Sequence, residues 1–245
     1  MDPDGKVALL TGGARIGRTV ALTLARRGCS LALTYRGSRE AAETTAAAAR
    51  AAGVRAGVFQ VDARDEEQVA TVVDRTARDL GRLDILINMA STYARTPLVT
   101  LGPAGWAEAL DSNARSAFVF SLKAAPHMRT AGAGRIVNFS DWTAASGRPR
   151  YEGYTPYYVA KAAVRGLTET LALELAPEIL VNSIAPGPIL APPDLSADEN
   201  ARVLEATPLR RWGGAEEIAR AVLFLVETDF VTGECLRVDG GRHLY

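Results

Sequence analysis

Lysine is nearly missing from this chain. Only Lys6, Lys123 and Lys161 occur, against 25 arginines. With so much alanine, the bias reads as genome composition, and it makes any lysine placed at a meaningful spacing noteworthy. Cysteine is scarce as well. Cys29 and Cys235 lie far apart, which argues against a disulfide framework and fits a reducing cytoplasm. The two histidines, His127 and His243, have no metal-ligand neighbour, and Asp62 and Asp65 lack the spacing of a calcium loop, so no metal is expected. Net charge is zero, from 28 basic and 28 acidic side chains. That leaves no basic excess for a nucleic-acid backbone. No apolar run reaches the ~18 residues of a membrane span. No basic patch beside an apolar tail suggests anchoring. The first six residues are acidic and lead into a strand, unlike a signal peptide. The expectation is a cytoplasmic protein whose partner is a small molecule, not nucleic acid or membrane.

What is present is an ordinary globular balance over 245 residues, 48% hydrophobic and 23% charged. Short apolar runs at 6–11, 30–35, 55–61, 83–88, 134–140, 179–185 and 234–238 read as strands. Between them, 16–27, 38–52, 66–80, 103–131, 154–175 and 216–227 read as helices. Such alternation predicts one α/β domain over 1–245, a doubly wound and mostly parallel sheet with helices on both faces. Residues 186–207, rich in Pro, Asp and Ala, show no clear element and read as an excursion above the sheet. Ligands in such folds sit beyond the carboxyl ends of the strands.

The first strand is followed by Thr11-Gly12-Gly13-Ala14-Arg15-Ile16-Gly17 and a helix. Glycines there let the backbone approach a pyrophosphate, whose charge the helix N-terminus favours, and Arg15 adds a cation. The second strand ends in Arg36-Gly37-Ser38 with no carboxylate to take a ribose diol. Arg36 and Ser38 suit a 2′-phosphate, so NADP(H) is expected; a solvated loop arginine is the alternative. Asp62, closing the third strand, is placed to accept from an adenine amino group, or is a plain loop carboxylate.

Tyr157 and Lys161 are spaced i, i+4 on a predicted helix and share a face. An ammonium beside a phenol lowers its pKa and makes it a usable general acid. Chance pairing at this spacing is the alternative, though lysine's rarity weighs against it.

These motifs, with Asn88-Met89-Ala90, Asn113, Pro186-Gly187 and Val238-Asp239-Gly240-Gly241, resemble the short-chain dehydrogenase/reductase family over nearly the whole chain. The resemblance implies a Rossmann-type fold, Tyr157 as proton donor, Lys161 holding the nicotinamide ribose, Asn113 supporting a water relay to Lys161, and Asn88 beside the cofactor ribose. Gly12, Ile16, Gly17, Ala90, Pro186 and Gly187 fall at cofactor positions. Family members are usually homotetramers, and the apolar stripes of 103–131 and 154–175 allow helix pairing.

Departures narrow the likeness. Arg15 stands in the glycine turn, Ser91 and Tyr93 follow the fourth strand, and Asp141 falls where the family's usual catalytic serine is expected. Ser140 in that role, by a slip of one, is the alternative. Residues 147–153 carry an insertion. These departures are similar to the pteridine reductase branch. They imply that Tyr93 stacks a flat pterin, with ordinary packing as the alternative. They also imply that Arg15 donates to pterin and phosphate, that Ser91 lies beside the substrate, and that Asp141 hydrogen-bonds Tyr157 to deliver a proton. The expected function is NADPH-dependent reduction of a pteridine. The alternative is a carbonyl reductase, such as a 3-oxoacyl thioester reductase. A non-catalytic cofactor-binding sensor stands third. Residues 188–207 are expected to close over substrate.

Overall fold

The computed structural model describes residues 1–12 and 14–245; Gly13, in the expected glycine turn, lies outside the described residues. The strands are β1 (Val7–Thr11), β2 (Ser30–Tyr35), β3 (Ala56–Gln60), β4 (Ile85–Asn88), β5 (Gly134–Phe139), β6 (Ile179–Pro186) and β7 (Cys235–Val238). All pair in parallel, in the order β3-β2-β1-β4-β5-β6-β7. The order reverses between β1 and β4, which opens a crevice at their carboxyl ends.

The helices are α1 (Ile16–Arg26), α2 (Arg39–Ala51), α3 (Glu66–Leu80), α4 (Pro103–Leu110), α5 (Ser116–Thr130), α6 (Trp142–Ala145), α7 (Thr155–Leu175), α8 (Ala197–Glu205) and α9 (Ala215–Glu227). Successive strand residues face opposite sides, so each strand feeds two cores. Ala8, Leu10, Leu31 and Leu33 join Val20 and Leu24 of α1, Ala46 and Ala49 of α2, and Ile218 and Val222 of α9. Val7, Leu9, Ala32 and Leu86 join Val69 and Val73 of α3, Phe120 of α5 and Ala172 of α7. Burial on both faces is why the strands are continuous apolar runs rather than alternating ones.

Three features depart from the expected elements. The long helix of 103–131 is interrupted by a π-helical turn, Asp111–Arg115, between α4 and α5. A short helix, α6, follows β5 because Asp141 caps it, accepting from the Thr143 backbone N–H at 2.8 Å. Residues 186–207, expected to hold no element, contain α8. Its start is a reciprocal capping box in which Ser196 accepts from the Glu199 N–H and Glu199 accepts from the Ser196 N–H. No helix among the described residues is long and apolar enough to cross a membrane.

Candidate active site

The carboxyl ends of β1, β4, β5 and β6 surround one continuous cleft. A larger chamber of about 960 Å³ is lined by Arg15, Ser91, Tyr93, Asp141, Tyr157 and Lys161, among others. A smaller one of about 430 Å³ is lined by Arg36, Ser38, Asp62 and Ala90, and the two share Gly12, Ala14, Met89 and Ser91.

The glycine turn shapes their junction. At φ +75°, Gly12 packs so closely that a Cβ there would lie 3.0 Å from the Ala90 nitrogen. A Cβ on Gly17 would lie 2.8 Å from the Gly12 carbonyl, so α1 rests directly on the turn. Thr11 Oγ1 ties the ends of β1 and β4 together, accepting from the backbone N–H groups of Met89 and Ala90, each at 3.0 Å. Arg15 begins α1 at φ 53° and ψ −107°. That left-handed region favours glycine, so a cation occupies a strained position beside the cleft. Ile16, Pro186 and Gly187 line the larger chamber. Gly187 has no room for a side chain, since its Cβ would fall 2.5 Å from Asp239 Cβ.

Asp62 faces the smaller chamber, but its carboxylate is held by Arg64, with Nε at 2.9 Å and Nη2 at 2.5 Å. The hydrogen bonds from Arg64 hold Asp62 at about 2, well below the usual carboxylate range. Arg64 also reaches Glu108 of α4 at 2.5 Å. Asn88 does not line either chamber. Its Nδ2 donates to Asn138 Oδ1 at 2.9 Å and to Ser121 Oγ and the Ala117 carbonyl, each at 3.3 Å, clamping β4 to β5 and α5. Asn88 Oδ1 is buried without a partner. The structure therefore turns the Nδ2 of this side chain into the packing between β4, β5 and α5.

Tyr157 and Lys161 share the inner face of α7, where i, i+4 residues stack. The phenol donates to Asp141 Oδ2 at 3.2 Å. Asp141 Oδ1 is fixed by the Thr143 N–H at 2.8 Å and by Thr143 Oγ1 at 2.5 Å. Ser140 is turned the other way, buried and donating to the Lys161 carbonyl at 3.0 Å. Asp141 rather than Ser140 therefore meets Tyr157. Lys161, 3% exposed, donates from Nζ to the Phe139 carbonyl at 2.8 Å and lies 5.7 Å from the Tyr157 ring centroid.

This arrangement corrects the expectation that the ammonium acidifies the phenol. Burial first, and then the charge and hydrogen bond of Asp141, push Tyr157 well above the ordinary tyrosine value. Burial lowers Lys161 to about 8, against the opposing effect of Asp141. Helical spacing brings the two side chains to one face, but the amine is drawn to a strand-end carbonyl and a carboxylate takes the phenol.

Asn113 sits in the π-helical turn, a geometry frequent at functional sites. Its Oδ1 accepts from Ser91 Oγ at 2.6 Å, and its Nδ2 donates to the Ala109 carbonyl at 2.9 Å and to the Thr92 carbonyl at 3.3 Å. Among the described residues no hydrogen bond joins Asn113 to Lys161, and the Ser91 hydroxyl is occupied. Tyr93, 58% exposed, stacks on Tyr154 with centroids 4.5 Å apart and meets the Tyr157 ring edge-on at 4.8 Å. Tyr154, Trp142, Arg150 and Arg242 also line the larger chamber, and no motif in the sequence gives any of them a site role. The Tyr and Trp positions near the insertion offered the available signal. Among the described residues no cluster of metal-ligating side chains occurs.

Residues 13–243 match the sequence profile of the family described as enoyl-(acyl carrier protein) reductase. The chain is 35% identical to the 3-oxoacyl-[acyl-carrier-protein] reductase of Staphylococcus aureus, with 98% of each covered. It is 38% identical to a Streptomyces violaceoruber protein named for ketoacyl reduction in the granaticin polyketide synthase, covering 99% of this chain and 98% of that one. Its fold superposes on a short-chain dehydrogenase/reductase from Serratia marcescens with a TM-score of 0.91. The two are 33% identical, over 99% of this chain and 100% of the other.

Proposed function

The chain belongs to the short-chain dehydrogenase/reductase family, an oxidoreductase family, and from that premise we propose that it reduces the 3-oxo group of an acyl thioester with NADPH. The observation that carries this reading is the placement of the Tyr157 hydroxyl and the buried Lys161 in one chamber continuous with the glycine-turn cleft. The names of the curated relatives supply the substrate class.

The residues present fit a dinucleotide. The close approach at Gly12 and Gly17, the N-terminus of α1 and Arg15 suit a pyrophosphate. Arg36 and Ser38, at the end of β2, suit a 2′-phosphate. When bound, the cofactor supplies the hydride. Tyr157 carries a proton at Oη, and turning it from Asp141 toward the oxygen that becomes the alcohol makes it the donor. Asp141 orients that hydroxyl from an oxygen-anchored N-cap. Lys161 and Asn113 stiffen the floor by holding a strand-end carbonyl and the Ser91–Thr92 segment. Tyr93 with Tyr154 forms an aromatic wall on which a flat acyl or ring group can lie. Residues 188–207, including α8, cover the chamber through Leu190, Leu195 and Val203.

One observation favours a second reading, reduction of a C=N bond in a pteridine. An ionised Asp141 accepts hydrogen bonds and does not donate one to a carbonyl oxygen, whereas a pterin edge offers N–H donors. Following NADPH absorbance with acetoacetyl-CoA, and separately with dihydrobiopterin, decides between them. Turnover of the thioester supports the first reading. Pterin turnover with an inert thioester replaces it by the second. The same assay with NADH tests cofactor choice, and equal use of NADH refutes the assignment of Arg36. Size measurement in solution tests the expected tetramer.

A further inference from the structure

The larger chamber holds more positive charge than a dinucleotide uses. Arg150 comes from the 147–153 insertion and Arg242 from the 3-10 turn Arg242–Leu244 beyond β7, yet both converge on Trp142. The Cζ of Arg150 lies 5.9 Å from the indole ring centroid and that of Arg242 5.6 Å from it. All three side chains line the chamber, and Trp142 directly follows Asp141 in sequence.

Neither guanidinium pairs with a carboxylate among the described residues, and Arg242 Nη1 is buried with no hydrogen-bond partner. The carboxylates that line the chamber, Asp141 and Glu199, are engaged, as is Asp239 beside the Arg242 turn. Asp239 accepts from the Gly241 N–H at 3.0 Å and from His243 Nδ1 at 2.7 Å. Glu199 is closed into its capping box with Ser196, and Asp141 holds Thr143 and Tyr157. Arg211, by contrast, is paired with Glu217. An indole face holds guanidinium groups by cation–π attraction without neutralising them. A buried guanidinium N–H without an acceptor is costly, and an oxoanion is the group that matches its forked donors.

We propose that Arg242 and Arg150, braced on Trp142, form an oxoanion subsite that binds a carboxylate or phosphate carried by the substrate away from its reacting carbon. This rests on reading the chamber as a reductase site, and it assigns to that site an anionic substrate. The anion's source is either a carboxylate of the reduced molecule itself or a phosphate on the arm that carries its acyl group.

Two matched pairs of substrates separate these sources in steady-state assays with NADPH. Acetoacetyl-CoA is compared with acetoacetyl-pantetheine, which lacks phosphate, and the monoethyl ester of 3-oxoglutarate with neutral ethyl acetoacetate. Arg242→Gln lowers the preference for the charged member of one pair about tenfold, through KM, and Arg242→Lys restores part of it. Loss in the first pair identifies phosphate, and loss in the second identifies carboxylate. Equal falls for charged and neutral members of both pairs overturn the proposal.

A binding readout stands apart from turnover. Glutarate and inorganic phosphate are titrated calorimetrically into the NADP⁺-loaded protein, into Arg242→Gln and into Arg150→Gln. Heat from either anion that weakens at least fivefold in both variants upholds the subsite even if none of the four carbonyl compounds is reduced, in which case the proposed activity fails alone. No anion heat in the unaltered protein, or heat indifferent to both substitutions, overturns it.

Discussion

Exchanging Lys161 for methionine is expected to flatten the dependence of stability on pH. Lys161 is buried at the floor of the chamber, and burial brings its ammonium from 10.5 down to about 8. In the unfolded chain the same group titrates near its ordinary value. Below about pH 8 both states carry the proton, and the folded state bears the whole cost of a buried charge. Between about 8 and 10.5 the unfolded chain binds a proton that the folded chain has released, so stability rises with pH. Integrated from pH 7 to pH 10, that rise is on the order of 2–3 kcal/mol. Methionine keeps much of the stem and does not titrate. It also leaves the Phe139 carbonyl without its donor, which lowers the whole curve by roughly 1–3 kcal/mol without bending it. Urea unfolding of both ligand-free proteins at pH 7, 8, 9 and 10 measures the effect, because other titrating groups cancel in the difference. Curves that stay parallel across this range refute the idea of a charge held out of water at α7.

Asp141→Ser removes the charge and hydrogen bond that help hold the Tyr157 proton, and it introduces a hydroxyl donor. Carbonyl reduction is expected to rise roughly tenfold and any pterin reduction to fall roughly a hundredfold, both read from NADPH oxidation; unchanged rates in both contradict the assignment. Arg36→Ala is expected to raise KM for NADPH about tenfold while leaving KM for NADH where it was, and a parallel rise for both cofactors counts against a 2′-phosphate contact. Arg15→Gly relieves a positive φ, so thermal unfolding should shift upward by the equivalent of about 1 kcal/mol, while fluorescence titration shows weaker NADPH binding. A lowered melting temperature there shows that the side chain's contacts outweigh the backbone relief.

Much of the architecture is legible from local pattern. Runs such as Val7–Thr11 and Ile85–Asn88 are buried throughout and apolar up to their last residue because helices cover both faces, and the glycine turn marks where β1 hands over to α1. The element at Ala197–Glu205 was hidden by neighbouring prolines and a polar surface. Its legible sign was the Ser196-to-Glu199 spacing of a capping box rather than an apolar stripe. Helical spacing correctly puts Tyr157 and Lys161 on one face. It carries no information on which acceptors wait there, and those come from the ends of β5 and α6, Phe139 and Asp141. The motif position of Asn88 gives no sign that its amide completes a polar clamp with Asn138, which only strand pairing creates. Arg150, Trp142 and Arg242 meet from distant stretches of chain, so no window of sequence contains their relation.

The five-residue coil at Asp111–Arg115 sets a condition on length changes in this chain. It holds one residue more than a regular turn would, and that surplus is what turns Ser112 and Asn113 inward toward Thr92 and Ser91. Deleting a single position there would leave a better-formed helix by every local measure. It would also rotate α4 by about 100° relative to α5 and carry Glu108 off Arg64. Gaps are therefore far less tolerable at this point than exchanges of side chain, and variants that differ in length are expected to place their indels elsewhere, in surface connections such as 147–153.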